Sequence, residues 1–228
     1  MKYFRIIVWG TPLYNYEPWK DEPSNFYYYL EINKMPTFDP VFSYQVLEEV
    51  PATDFINSTF GGSTYGFLVN QKARNFLNSI NADLNHKYYP IKMLQEINQQ
   101  ASDSPAYYHS TPYWYFFIVN PDYVNWVDFK KTIFFARPLK GDILQNICFE
   151  NSEQFSLFKS EEKYDMGCEM LFLNDEFKRK ELDIFVIPQL AAKSSYYQIV
   201  VSENFKERVE KAKLTGIHRF IELPIYVD

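Results

Sequence analysis

Three histidines, two cysteines and 29 carboxylates are among the groups in this 228-residue chain that could attack a substrate, move protons or hold a metal. His86, His109 and His218 stand in separate segments, and none belongs to an HExxH or a Cys/His metal spacing. Cys148 and Cys168 form no CxxC pair, and two cysteines in a chain of this length are no disulfide framework, so buried free thiols are expected. Gly62-Ser63-Thr64-Tyr65-Gly66 falls one place short of a nucleophile elbow, because its middle residue is threonine and the serine comes early. There is no phosphate loop and no dinucleotide fingerprint. Glu48-Glu49, Glu161-Glu162 and Asp175-Glu176 supply the residue type a glycosidase uses. Tyr14, Tyr16 and Trp19, or Tyr27, Tyr28 and Tyr29, could stack on sugar rings. The simpler readings are a solvated charged surface for the acids and core-facing strand positions for the aromatics. No catalytic, metal-binding or cofactor-binding residue is therefore expected.

The distribution of charge says more than any single pair. Between Glu17 and Asp54 lie eight acids and two bases, Lys20 and Lys34, which carries the whole net charge of −6; the rest of the chain balances. A field of one sign speeds encounter with a partner of the other sign, and an aromatic anchor among the charges holds it. The candidate partner-binding residues are Glu17, Trp19, Asp21, Glu22, Glu31, Asp39, Glu48, Glu49 and Asp54. The competing reading is an acidic edge that keeps an edge strand from pairing. An acidic chain lacks the basic surface that displaces counterions from phosphates, so nucleic acid is not the expected partner. The first apolar run, Ile6 to Trp9, is far short of the roughly 20 residues that cross a bilayer. No membrane association is expected, and a cytoplasmic location follows as an expectation.

The elements that must position these residues are rich in aromatics: 21 Phe, 19 Tyr and 4 Trp against only 7 Gly. Tyr3–Trp9, Phe26–Ile32 and Phe42–Leu47 read as strands between proline-marked turns. Phe67-Leu68-Val69 runs into Asn70, an N-cap, with Ala73, Phe76, Leu77 and Ile80 at helical spacing. Tyr113–Val119 is a fully apolar run suited to a buried strand, followed by Asn120 as the cap of a short helix through Trp126. Strands are expected at Thr132–Ala136, Ile143–Phe149 and Ile184–Ile187, with Asn174 capping a charged helix through Glu181. Ile199-Val200-Val201 leads to Ser202 as N-cap, then Phe205, Val209 and Ala212 as a buried stripe, Gly216 closing the helix and His218–Leu223 returning as a strand. Residues 67–77 and 199–209 share one strand–cap–helix grammar, a common unit that needs no duplication to explain it. The expected architecture is a single α+β domain over residues 1–228 of mostly antiparallel sheet with three or four short helices. A subdomain split is placed near the polar stretch 98–105.

The C-terminal half carries a resemblance. Tyr115-Phe116-Phe117-Ile118-Val119-Asn120 with Val127-Asp128, Leu182-Asp183-Ile184-Phe185-Val186, and Ile199-Val200-Val201-Ser202-Glu203-Asn204-Phe205-Lys206 with Leu214-Thr215-Gly216-Ile217 together resemble the immunity proteins of bacterial polymorphic toxin systems. The resemblance spans roughly residues 113–223, and Thr132 stands where the pattern has serine. It implies a non-enzymatic cytoplasmic protein of bacterial origin that binds and neutralises a cognate toxin. The matched residues are scaffold, and no catalytic residue is implied. The acidic segment would then meet a basic effector, such as a nuclease-type toxin. The alternatives are a carbohydrate-binding module or glycosidase using exposed aromatics, and a structural or adaptor protein with no toxin partner.

Overall fold

A computed structural model describes residues 1–8, 14–15, 33–40, 42–46, 53–57, 66–83, 85–95, 112–138, 145–160, 164–187 and 199–227. The first strand, β1 (Tyr3–Val8), lies inside a four-stranded antiparallel sheet made otherwise from the C-terminal part of the chain. It pairs with β12 (Ile199–Ser202) on one side and β13 (Ile217–Leu223) on the other, and β11 (Ile184–Val186) lies beyond β12. A six-stranded sheet has the order β2 (Tyr14–Asn15), β3 (Phe42–Val46), β6 (His86–Gln95), β7 (Tyr113–Ile118), β5 (Gly66–Asn70), β4 (Phe55–Asn57). Only its β3–β6 pair is parallel. The third sheet runs β14 (Ile225–Val227), β10 (Tyr164–Leu173), β8 (Ile133–Pro138), β9 (Gln145–Ile147), with β14 parallel to β10. The fold is α+β with mostly antiparallel pairing, as expected.

The sheet containing β1 is the middle layer, because successive residues along its strands enter two different cores. Phe4, Ile6, Ile184, Val186, Ile199 and Val201 pack with Phe55, Phe67, Val69, Phe116 and Ile118 of the six-stranded sheet. Their neighbours Tyr3, Phe185, Ile187 and Val200 pack with Phe134, Ala136, Cys168, Leu171 and Leu173 of the third sheet. Burial on both faces explains why Ile184–Ile187 and Ile199–Val201 are continuous apolar runs rather than alternating ones. The aromatic excess fills these layers: Tyr3, Trp126, Phe177 and Phe185 form one cluster of edge-to-face and tilted rings, and Phe134, Phe149 and Phe155 another. Edge-to-face contacts of this kind add to plain area burial.

Among the described residues there are four α-helices: α1 (Gln71–Leu77), α2 (Ser152–Ser160), α3 (Asp175–Lys180) and α4 (Glu203–Lys211). Three begin on the residues expected. The side chain of Asn70 accepts the Ala73 N–H, Asn174 accepts those of Glu176 and Phe177, and Ser202 accepts that of Phe205. Phe76 of α1 meets Phe205 of α4 edge to face at 5.4 Å, so the two similar strand–cap–helix units cover the same core. Their strands, however, belong to different sheets.

Four local expectations are corrected. Residues 123–126 form a 3₁₀ turn preceded by Asp122 with no side-chain cap; Asn120 is buried and donates instead to the Val186 carbonyl at 2.9 Å. The α4 helix does not close on Gly216. Lys213 takes the left-handed conformation (φ 51°), and the N–H groups of Lys213 and Leu214 bond the carbonyls of Glu210 and Val209, a Schellman closure. Gly216 has φ 97° for another reason: a Cβ there would lie 1.9 Å from the Phe55 carbonyl oxygen. Ala212 is exposed, since the helix has ended before the stripe reaches it. Both cysteines are free as expected, but only Cys168 is buried; Cys148 is exposed. The expected strand at 26–32 and the proposed split near 98–105 lie outside the described residues.

Candidate functional site

Of the nine residues expected to face a partner, Glu17, Trp19, Asp21, Glu22, Glu31, Glu48 and Glu49 lie outside the described residues. The structure places the other two in opposite environments. Asp39 precedes β3 with its side chain 79% exposed, and Lys87 of β6 reaches it at 2.5 Å. The same ammonium stands 5.2 Å from the centre of the Tyr89 ring. An ion pair this open contributes little to stability, so Asp39 remains a surface charge.

Asp54 is turned inward and only 6% exposed, so it cannot line a docking surface. Its carboxylate accepts the Asn70 amide at 2.9 Å, the Thr215 backbone N–H at 2.8 Å and the Thr215 hydroxyl at 3.1 Å, with Lys72 at 3.4 Å. Its backbone completes the clasp: Asp54 carbonyl receives the Asn70 N–H, and the Phe55 N–H bonds the Thr215 carbonyl. Burial by itself disfavours the charged carboxylate, but the bonds from Asn70 and Thr215 and the charge of Lys72 outweigh it and lower the Asp54 pKa. This acid ties the loop before β13 to β4, β5 and α1.

Two further buried acids were not singled out by charge counting. Asp183 accepts the Ser202 hydroxyl and the Asn204 amide at 2.8 Å each, and the Asn81 N–H at 3.1 Å. Asp83 is also 6% exposed, but one of its carboxylate oxygens has no hydrogen-bond partner among the described residues. The signal that could have found Asp183 is its place inside the apolar run Leu182–Ile187, where a charge is retained only if it is bonded. Asn33 and Asn120 form a buried reciprocal pair across 87 residues. No local pattern announces it.

The histidines are placed apart. His86 packs against Phe116 and Tyr88 with Nδ1 on the Asp83 carbonyl, His218 is exposed on β13, and His109 lies outside the described residues. Among the described residues no group of three His, Cys, Asp or Glu side chains could hold a metal ion. No helix there is long and apolar enough to cross a membrane. Gly62–Tyr65, and the side chains of Tyr14, Tyr16, Trp19 and Tyr27–Tyr29, are outside the described set.

An open depression beside α2 and α3 is lined by Asn125, Asp128, Lys130, Glu150, Asn151 and Asn174. Three of its polar side chains close turns: Asn151 and Asn174 cap the two helices, and Asp128 accepts the N–H groups of Lys130 and Lys131. Thr132, at the position where the resembled pattern has serine, is buried and uses its hydroxyl to accept the Phe172 N–H at 3.1 Å. A serine hydroxyl could make the same bond, so the departure leaves the local chemistry intact. Comparison with family models, with curated proteins and with solved structures gives no match.

Proposed function

We propose that this chain is an immunity protein, which neutralises a cognate bacterial toxin by binding it rather than by chemistry. The observation that carries this reading is the concentration of the entire −6 net charge between residues 17 and 54, with Asp39 of that segment held at the surface. The resemblance of residues 113–223 to immunity proteins of polymorphic toxin systems supports it. With Asp54 spent on an internal clasp, seven acids and two bases of the segment remain to set its field. Such a field suits a basic toxin and acts mainly on the rate of encounter.

The test is co-expression of the protein with the product of each neighbouring gene. Rescue of growth together with a co-purifying complex is the expected result. Failure to rescue from any neighbour overturns the reading.

A further inference from the structure

Ala82 and Asp83 on one side, and Asn85 and His86 on the other, meet two of the three sheets. Ala82 bridges to Ile184 at the edge of the middle sheet, and the Asp83 N–H bonds the Ile184 carbonyl at 3.1 Å. On the other side, the Val119 N–H at the end of β7 bonds the Asn85 carbonyl at 3.0 Å, and His86 opens β6. The Asp83 side chain therefore sits where the two sheets meet, beside the Asn81–Asp183 backbone bond at 2.7 Å. One carboxylate oxygen accepts from the N–H and amide of Asn85 at 3.3 and 3.5 Å, which are long bonds; the other oxygen is buried and meets no donor among the described residues.

Asp183, across the same joint, shows what a satisfied buried carboxylate requires: three donors at 2.8 to 3.1 Å. Asp83 lacks them. An anionic oxygen left without a donor in the interior is costly, whereas a protonated carboxyl carries no net charge there.

We propose that Asp83, between Ala82 and Asn85, controls by its proton a joint between the middle and six-stranded sheets, closed when Asp83 holds a proton and loosened when that proton passes to solvent water.

The charged groups that face Asp83 are His86 from β6, Lys180 from α3 and Asp122 from the turn after β7. Lys180 and a positively charged His86 favour the carboxylate, and Asp122 opposes it. Burial is the largest influence, and together with Asp122 it raises the Asp83 pKa above the ordinary aspartate value. A carboxyl whose folded pKa is raised contributes most below its unfolded pKa, and that contribution is lost as pH rises through the folded pKa. The joint thus weakens toward neutral and alkaline pH, and the proton released is the only chemical change.

Two measurements on the full chain test this. The first follows the Asp83 side-chain carboxyl carbon by NMR from pH 3 to 8 in the unaltered protein. A midpoint above the ordinary range near about 3.9 is expected, and a midpoint at or below it overturns the proposal. The second compares hydrogen-exchange protection of the 82–86 and 184–186 amides at pH 5 and pH 8, corrected for intrinsic rates, in wild type and Asp83→Asn. Wild-type protection should be at least about threefold lower at pH 8, while Asp83→Asn holds the high value at both. Equal pH dependence in the two proteins, or none in wild type, overturns it. If Asp83→Asn does not fold, the wild-type carboxyl titration decides alone.

Discussion

The Asp54 carboxylate accepts the backbone N–H of Thr215 at 2.8 Å across 161 residues of chain. One acid thereby fastens the entry to β13 onto β4 and the start of α1, together with Asn70 and Lys72. A group with a depressed folded pKa stabilises above its unfolded pKa, and its contribution is lost as pH falls through the folded value. Asp54 and Asp83 therefore carry pH dependences of opposite sign. Asp54→Ala should destabilise by about 2–4 kcal/mol near neutral pH, because Thr215 and Asn70 lose their acceptor. Urea unfolding midpoints between pH 3 and 7 should show wild type losing its advantage over the variant toward acid. An advantage that stayed constant across this range would contradict the assignment.

Gly216 and Lys213 exchange the roles their types suggest. Gly216→Ala places a Cβ against the Phe55 carbonyl and forces φ 97° on an L-residue, so a loss of more than about 2 kcal/mol is expected. Lys213→Gly relieves the left-handed closure of α4 and should gain about 0.5–1 kcal/mol. Chemical denaturation of the two variants checks both signs together.

Cys148 and Cys168 should react at very different rates. Burial pushes the Cys168 thiol up to about 12, whereas Cys148 is exposed. A thiol reagent added to the folded protein at pH 8 should label Cys148 quickly, and Cys168 only on unfolding. Two rapid equivalents would contradict the burial of Cys168.

Asp39 separates binding from stability. Its pair with Lys87 is exposed on both sides, so Asp39→Lys should change stability by less than about 1 kcal/mol. If the acidic segment steers a basic toxin, the same change slows association and flattens its salt dependence, while Asp54→Lys disrupts the fold itself. Association rates at two salt concentrations and a thermal unfolding curve for each variant distinguish these outcomes. An unchanged association rate for Asp39→Lys removes this residue from the proposed surface.

Cap strength provides a further comparison. Asn174 is an N-cap that also donates to the Asn125 carbonyl, and Asn174→Ala should cost about 1 kcal/mol. Ser202 accepts the Phe205 N–H while donating to Asp183, and it is 1% exposed. Ser202→Ala removes a cap and one donor to a buried carboxylate, so a larger loss of about 2–3 kcal/mol is expected. Equal losses, read by urea unfolding, would show that the Ser202–Asp183 bond adds nothing to the cap.

The sequence by itself determined the features whose physics is local. Asn70, Asn174 and Ser202 start helices because a short polar side chain can reach N–H groups two or three residues ahead, whatever lies elsewhere. Ile184–Ile187 and Ile199–Val201 read as strands because they are apolar runs rich in β-branched residues, and the tertiary structure added that both of their faces are buried. Charge counting located the acidic segment but treated its eight acids alike, and it passed over Asp83 altogether. Only the tertiary structure decided that Asp39 faces water, that Asp54 is locked onto Thr215, and that Asp83 lies buried with an oxygen unmatched. The same holds for Gly216, whose need for glycine comes from the Phe55 backbone, and for Asn120, which serves Asn33 and Val186 rather than a helix. The physical reason is common to all five. The free energy of a charge, an amide or a missing Cβ is set by the atoms packed against it, and here those atoms come from distant parts of the chain.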